Sequence, residues 1–105
     1  MMISSTFNVK VTDIAPDLST RPVGIRARER LINVLHDYEA VEIDFLDKSL
    51  TPSFADECIG RFAAQIGFDE FKKRVRLVNL SEASKPLIKH VILVRCSPRQ
   101  MHADL

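Results

Sequence analysis

The 105 residues predict one α/β domain of order β-α-β-α-β-α, with a small, mainly parallel sheet and helices packed mostly on one face. Three observations carry this. Short segments of alternating polarity recur at residues 7–11, 41–45 and 75–77, and alternation is a strand signature. Between them lie segments whose apolar residues repeat at three and four, the period of an amphipathic helix. Those segments are long, so they act as crossovers between parallel strands with right-handed connections. The alternation also decides where the helices go. A sheet covered on both faces shows continuous apolar runs, and these strands do not. Asn8, Lys10, Glu42, Asp44 and Arg76 are therefore expected on one face, in water or against another chain, opposite Val41, Ile43 and Phe45.

Each element follows from its residues. Phe7, Val9 and Val11 alternate with Asn8 and Lys10 in the first strand. A turn-rich connector over residues 13–20 holds Pro16, Asp17 and Ser19. Residues 22–38 read as a helix with Ala27, Leu31, Val34, Leu35 and Tyr38 on one side; Thr20 is placed to cap it, and Pro22 suits its first turn. Val41, Ile43 and Phe45 alternate with Glu42 and Asp44 in the second strand. Residues 53–66 form the second helix, with Ala55, Cys58, Ile59, Phe62, Ala63 and Ile66 as its stripe and Gly67 as its end. Phe68 and Phe71 anchor a short connector, and Val75 and Leu77 flank Arg76 in the third strand. Ser84 and Pro86 open a last segment. There Leu87, Ile88, Val91, Ile92 and Arg95 have helical spacing although residues 91–94 are β-rich, and helix is preferred. The core spans about residues 6–95, and residues 97–105 read as a loose tail.

Composition narrows the function. The chain is 46% hydrophobic and 28% charged, ordinary for one soluble domain. A net charge of +1 exerts little pull on nucleic acid or anionic membrane. No apolar run approaches the ~18 residues of a membrane span. The start lacks the basic and apolar regions of a signal peptide, so a cytoplasmic location is expected. Cys58 and Cys96 have no CxxC or metal spacing, and a reducing compartment leaves them thiols. No cofactor or metal is implied.

Residues 41–60 are the most informative stretch for candidate sites. A serine at a strand's end and a helix's mouth stands where free N–H groups and the helix dipole favour negative charge. Ser53 holds that place, either as N-cap with Asp56 completing a capping-box-like pair or as a phosphoacceptor or partner contact. Thr51 competes for the cap, with Pro52 then the first helical residue. Arg21, Arg26, Arg28 and Arg30 crowd the start of the first helix, where cations oppose the dipole. They pair with Glu29 or Asp17, or else Arg21, Gly24 and Arg26 form an anion site at the first-turn N–H groups. Asp44 and Asp47 flank the strand end as turn residues, an acid–base pair or cation ligands. Asn79 and Ser81 read as turn and cap, Cys58 as a buried hydrophobe, and Lys72 to Arg76 as a solvated run. His36, His90 and His102 form no local catalytic signature.

Ile43-Asp44-Phe45 is followed by Thr51-Pro52-Ser53-Phe54-Ala55-Asp56-Glu57, then by residues 74–81 (Arg-Val-Arg-Leu-Val-Asn-Leu-Ser) and 91–95 (Val-Ile-Leu-Val-Arg). With Arg21-Pro22-Val23-Gly24-Ile25-Arg26 upstream, this order resembles the STAS-like family of bacterial domains of unknown function, over roughly residues 7–95. The resemblance implies the one-sided sheet. STAS domains proper include anti-sigma factor antagonists, in which a partner kinase phosphorylates a helix-start Ser or Thr. Those proteins carry Asp before the acceptor and Gly after it, where this chain has Pro52 and Phe54. The resemblance further implies a protein partner, a histidine-kinase-type ATPase. The expected function is thus a non-enzymatic regulatory interaction module using Ser53, Thr51, Phe54, Asp44 and Asp47. The alternative is a small-anion or nucleotide sensor at the first helix, and a third reading is an enzyme using Cys58 or Asp44.

Overall fold

The computed structural model describes residues 3–96. Strand β1 (Ile3–Lys10) leads directly into a short helix, α1 (Val11–Ile14). Helix α2 (Arg21–Asp37) and strand β2 (Tyr38–Asp44) follow. Next, α3 (Pro52–Ala55), a π-helical turn (Asp56–Gly60) and α4 (Arg61–Ile66) run on as one continuous helix. The chain closes with α5 (Phe68–Arg74), β3 (Val75–Val78) and α6 (Ser84–Cys96).

The three strands form one parallel sheet in the order β1-β2-β3. Each strand is added on the same side of the last. With right-handed connections, both crossovers then fall on one face. The register shows the consequence. Phe7 pairs with Val41 and Val41 with Val75; Val9 pairs with Ile43 and Ile43 with Leu77. These two rows face the helices, and Val41 and Ile43 are completely buried. On the other face Asn8, Glu42 and Arg76 share a row, and Lys10 pairs with Asp44. Asn8, Lys10 and Arg76 are exposed, so the period-of-two reading holds.

The core lies between the sheet and the helices. Ala27, Leu31 and Leu35 come from α2; Phe54, Ile59 and Phe62 from the long central helix; Ile88 and Val91 from α6. Phe62 meets Phe71 edge-on at 5.8 Å between ring centres. The segment of mixed signals at the C-terminus is helical. Its Ile88 and Val91 turn inward, while Leu93 and Val94 of the β-rich run stay 52% and 43% exposed.

Three expectations need correction. Val11 does not end the first strand: it opens α1, which runs on into the first residues of the expected connector, and is fully buried. Asp13 Oδ2 accepts a 3.4 Å hydrogen bond from the Lys10 backbone N–H at that helix start. The connector around Phe68 and Phe71 is α5, a seven-residue helix. Its Asp69 and Glu70 stand in the first turn and Lys72, Lys73 and Arg74 in the last, the order that suits the helix dipole. Nor is the basic run all solvated. Arg74 donates to the carbonyls of Leu35, Tyr38 and Glu39 at 2.7, 2.9 and 2.7 Å, closing the C-terminus of α2. The tail expected at 97–105, with His102, lies outside the described residues. Among the described residues no helix is long and apolar enough to cross a membrane.

Candidate functional site

The loop after β2 sets the entry to the central helix. Leu46 and Asp47 take left-handed conformations, with φ of 54° and 61°, as does Asn79 at 55°. Asp44 Oδ1 accepts from the Leu46 N–H at 2.8 Å and from Asn79 Nδ2 at 3.0 Å. The Asp47 N–H donates to the Asn79 carbonyl at 2.8 Å. These bonds tie the ends of β2 and β3 together. They hold the Asp44 carboxyl below its usual range, chiefly through the Asn79 amide. Asp44 thus serves a turn. Among the described residues, no three His, Cys, Asp or Glu side chains group as metal ligands.

Thr51, not Ser53, is the N-cap. Its Oγ1 accepts from the Phe54 N–H at 3.2 Å and donates to the Ser19 carbonyl at 2.8 Å, while its own N–H reaches the Leu18 carbonyl at 3.1 Å. Pro52 is the first helical residue. The deciding signal was that proline, whose missing N–H and fixed φ suit the first position of a helix. Thr51→Ala should therefore destabilise the protein by about 1–2 kcal/mol, the upper range for a lost cap. Urea unfolding of the two proteins checks this.

Ser53 is the second helical residue and half-buried. Among the described residues its hydroxyl has no hydrogen-bond partner. It lines an open cleft of about 310 Å³ between the start of α3 and α6. Pro52, Leu87, Val91 and Val94 supply the cleft's apolar lining; Arg21, Asp56, His90 and Arg95 supply its polar lining. Phe54 points the other way and is fully buried in the core.

Behind the cleft, the π turn passes α2 on one side and α6 on the other. Glycine allows both close approaches. A Cβ on Gly24 would lie 2.9 Å from Glu57 Cβ and 3.3 Å from the Phe54 carbonyl oxygen. A Cβ on Gly60 would lie 3.1 Å from the Val91 carbonyl oxygen. The space beside Gly24 is therefore filled by the neighbouring helix. The turn presents two adjacent carboxylates to four arginines. Glu57, 7% exposed, receives Arg21 Nη1 at 2.9 Å, Arg28 Nη1 at 3.3 Å and Arg61 Nε at 3.2 Å. Its backbone carbonyl also accepts from Arg28 Nη1 at 2.8 Å. Asp56 receives Arg95 Nε and Nη2 at 2.8 and 2.7 Å, and Arg21 Nη1 at 3.1 Å. These carboxylates are what offsets a cation at the start of α2. Asp17 and Glu29, the partners expected from sequence, do not take that role. Arg26 is exposed and stands apart from Arg21 and Gly24.

The paired hydrogen bonds from Arg95 are the main reason the Asp56 carboxyl falls from 3.8 to about 2; burial opposes them, and the Arg21 hydrogen bond and the charges of both arginines add to the lowering. A depressed folded pKa means stability that is present above 3.8 and lost as pH falls toward 2. The loss should be roughly 1 kcal/mol after solvent screening. Unfolding of wild type and Asp56→Asn between pH 5 and 2 tests it: wild type should lose its margin over the variant within that window. Cys58 is a different case. Burial pushes its thiol up to about 12, so it stays protonated.

The sequence put Ser53 and Thr51 at the start of one helix and Arg21 and Gly24 at the start of another, as two separate sites; the structure brings the two helix starts together, with Arg21 and Ser53 lining one cleft. Glu57, Arg61 and Arg95 were missed as participants. The Glu57–Arg61 pair has the i, i+4 spacing of a helical ion pair and was legible; the long-range pairs were not.

A family model described as a STAS-like domain of unknown function matches residues 23–85. That span takes in β2, the capped helix start, the π turn and β3. No curated protein and no solved structure matches the chain. With more than half of its length matched, and with a parallel three-stranded sheet that fits the description, the chain belongs to the family of STAS-like domains of unknown function.

Proposed function

We propose that this domain is a non-enzymatic regulatory module that binds a partner protein through the mouth of the central helix and the cleft beside it. The class of partner is a histidine-kinase-type ATPase. The observation that carries the reading is Ser53. Its hydroxyl is unpartnered among the described residues and opens on a cleft with an apolar lining and charged neighbours. That mixture, an apolar centre with arginine at its border, is the make-up of a protein interface. The same hydroxyl is a phosphoacceptor in this reading. Arg21 and Arg95 flank it and would attract the added charge, while Asp56 opposes it. The placement of the other reactive groups supports binding over chemistry: Cys58 is buried and protonated, and Asp44 is engaged in its turn.

Site-directed photo-crosslinking in the cell of origin tests the proposal. A crosslinker at His90 or Val94 should trap an ATP-binding protein of the histidine-kinase type. One at Asn8 or Arg76, on the polar sheet face, should not. Trapping from the sheet face alone, or trapping of a partner without an ATP-binding domain, would overturn it.

A further inference from the structure

We propose a second site, for a phosphomonoester group, where α2, α4 and α6 meet. Arg28, Arg61, Gln65 and Arg95 line a concavity of about 330 Å³ there, together with the small Ala64. It lies outside the space beside Gly24, and it is distinct from the Ser53 cleft, although Arg95 borders both.

The donors are held in place. The Arg28 side chain is 16% exposed, and its Nη1 is fixed by the Glu57 carbonyl at 2.8 Å and by Glu57 Oε1 at 3.3 Å. Arg61 is anchored to Glu57 through Nε, and Arg95 to Asp56 through Nε and Nη2. Among the described residues, Arg28 Nε and Nη2, Arg61 Nη1 and Nη2, and Arg95 Nη1 have no acceptor. Each guanidinium is thus oriented by one edge and has nitrogens left over. Planar forks of this kind match the oxygens of a phosphate, and their order is already imposed by the protein.

Charge sets the ligand's valence. Arg28, Arg61 and Arg95 line the concavity, and Arg21 binds the same two carboxylates, Asp56 and Glu57, from the side of the Ser53 cleft, so the cluster as a whole carries a surplus of two positive charges. Holding Glu57 in place would need fewer cations, and surplus like charges repel. A phosphomonoester carries about −1.5 to −2 at pH 7 and balances that surplus. The chain's net charge of +1 argues against nucleic acid, which needs an extended basic surface. The chemistry is shared by inorganic phosphate, a nucleoside monophosphate and a phosphoserine side chain.

NMR titration of the full chain distinguishes these sources. Inorganic phosphate, AMP and phosphoserine would be added separately at constant ionic strength, with arginine Nε–H and backbone amide signals followed. At least one should give saturable shifts at Arg28, Arg61 and Gln65 in the millimolar range, and the tightest of the three names the source. Gln65→Glu changes an exposed side chain that carries none of the cluster's bonds. It should weaken binding about tenfold by placing like charge in the concavity. Arg26→Gln, outside the site, should bind as wild type does. No saturable shift with any of the three would overturn the proposal. So would equal binding by Gln65→Glu with its folded spectrum intact, or shifts confined to the start of α2.

Discussion

Replacing Glu57 by alanine should lower the unfolding free energy by about 3–5 kcal/mol, the largest single-residue loss expected among the polar groups of this protein. The carboxylate is 7% exposed and is approached by Arg21, Arg28 and Arg61. The three do not count equally. Arg21 and Arg61 are 51% and 46% exposed, so water compensates them when Glu57 is removed. Arg28 is 16% exposed and would be left with one backbone carbonyl to satisfy a buried charge. Most of the loss therefore belongs to Arg28. Two further variants follow from that reasoning. Glu57→Gln keeps the shape and an acceptor, so it should lose less than Glu57→Ala. The double variant Glu57→Ala, Arg28→Ala should lose less than the sum of the singles, because the stranded charge is gone. Urea denaturation of wild type, Glu57→Ala, Glu57→Gln, Arg28→Ala and the double variant measures this. A loss under about 1 kcal/mol for Glu57→Ala would reduce the cluster to ordinary surface ion pairs.

Gly24→Ala has the next largest expected effect, a loss of about 1–3 kcal/mol. The direction is informative because two effects oppose. Alanine is favoured over glycine inside a helix by about 1 kcal/mol, and Gly24 lies inside α2. A Cβ there would stand 2.9 Å from Glu57 Cβ, and near the Phe54 carbonyl oxygen and the Cys58 nitrogen. Two of these three atoms are backbone, and the third is the stem of a side chain pinned by arginines. None can move away cheaply, so the clash should outweigh the propensity gain. A variant as stable as wild type would show that α2 and the π turn can separate. Arg21→Ala, which removes an exposed partner of the same carboxylates, should cost less than either change.

How much of this was legible in the sequence depended on distance along the chain. The sheet was readable because alternation is a local property. Asn8, Glu42 and Arg76 share a row since each strand carries its own period of two. Thr51 and Pro52 together encode the helix start, although Ser53 drew attention away from them. Helix α5 was hidden because seven residues hold too few apolar positions to show a period, while its charge order, acid first and base last, was present and went unused. Helix α1 is shorter still, four residues directly after a strand whose alternation runs into Val11. The arginine–carboxylate cluster could not be read at all as a unit. Arg21 and Arg95 meet Asp56 across separations of 35 and 39 residues, and only the packing of α2 and α6 against the π turn creates those contacts. Gly24 and Gly60 were the traces of that packing in the sequence; Gly24 was noticed as room for an anion, but the space beside it is taken by the central helix.

The claim that Ser53 marks the regulated contact is tested most directly by binding. The captured ATPase would be titrated against wild type, Ser53→Ala and Ser53→Asp, each at matched folded fraction. Because Thr51 provides the cap, Ser53→Ala should fold as wild type does and bind within about twofold of it. Ser53→Asp should also fold, since an acidic residue suits the first turn of a helix. Its charge, however, would stand in the cleft between Arg21, Asp56 and Arg95 and should weaken partner binding about tenfold or more. Affinities that do not differ among the three proteins would contradict the account and leave Ser53 as a plain residue of the helix's first turn.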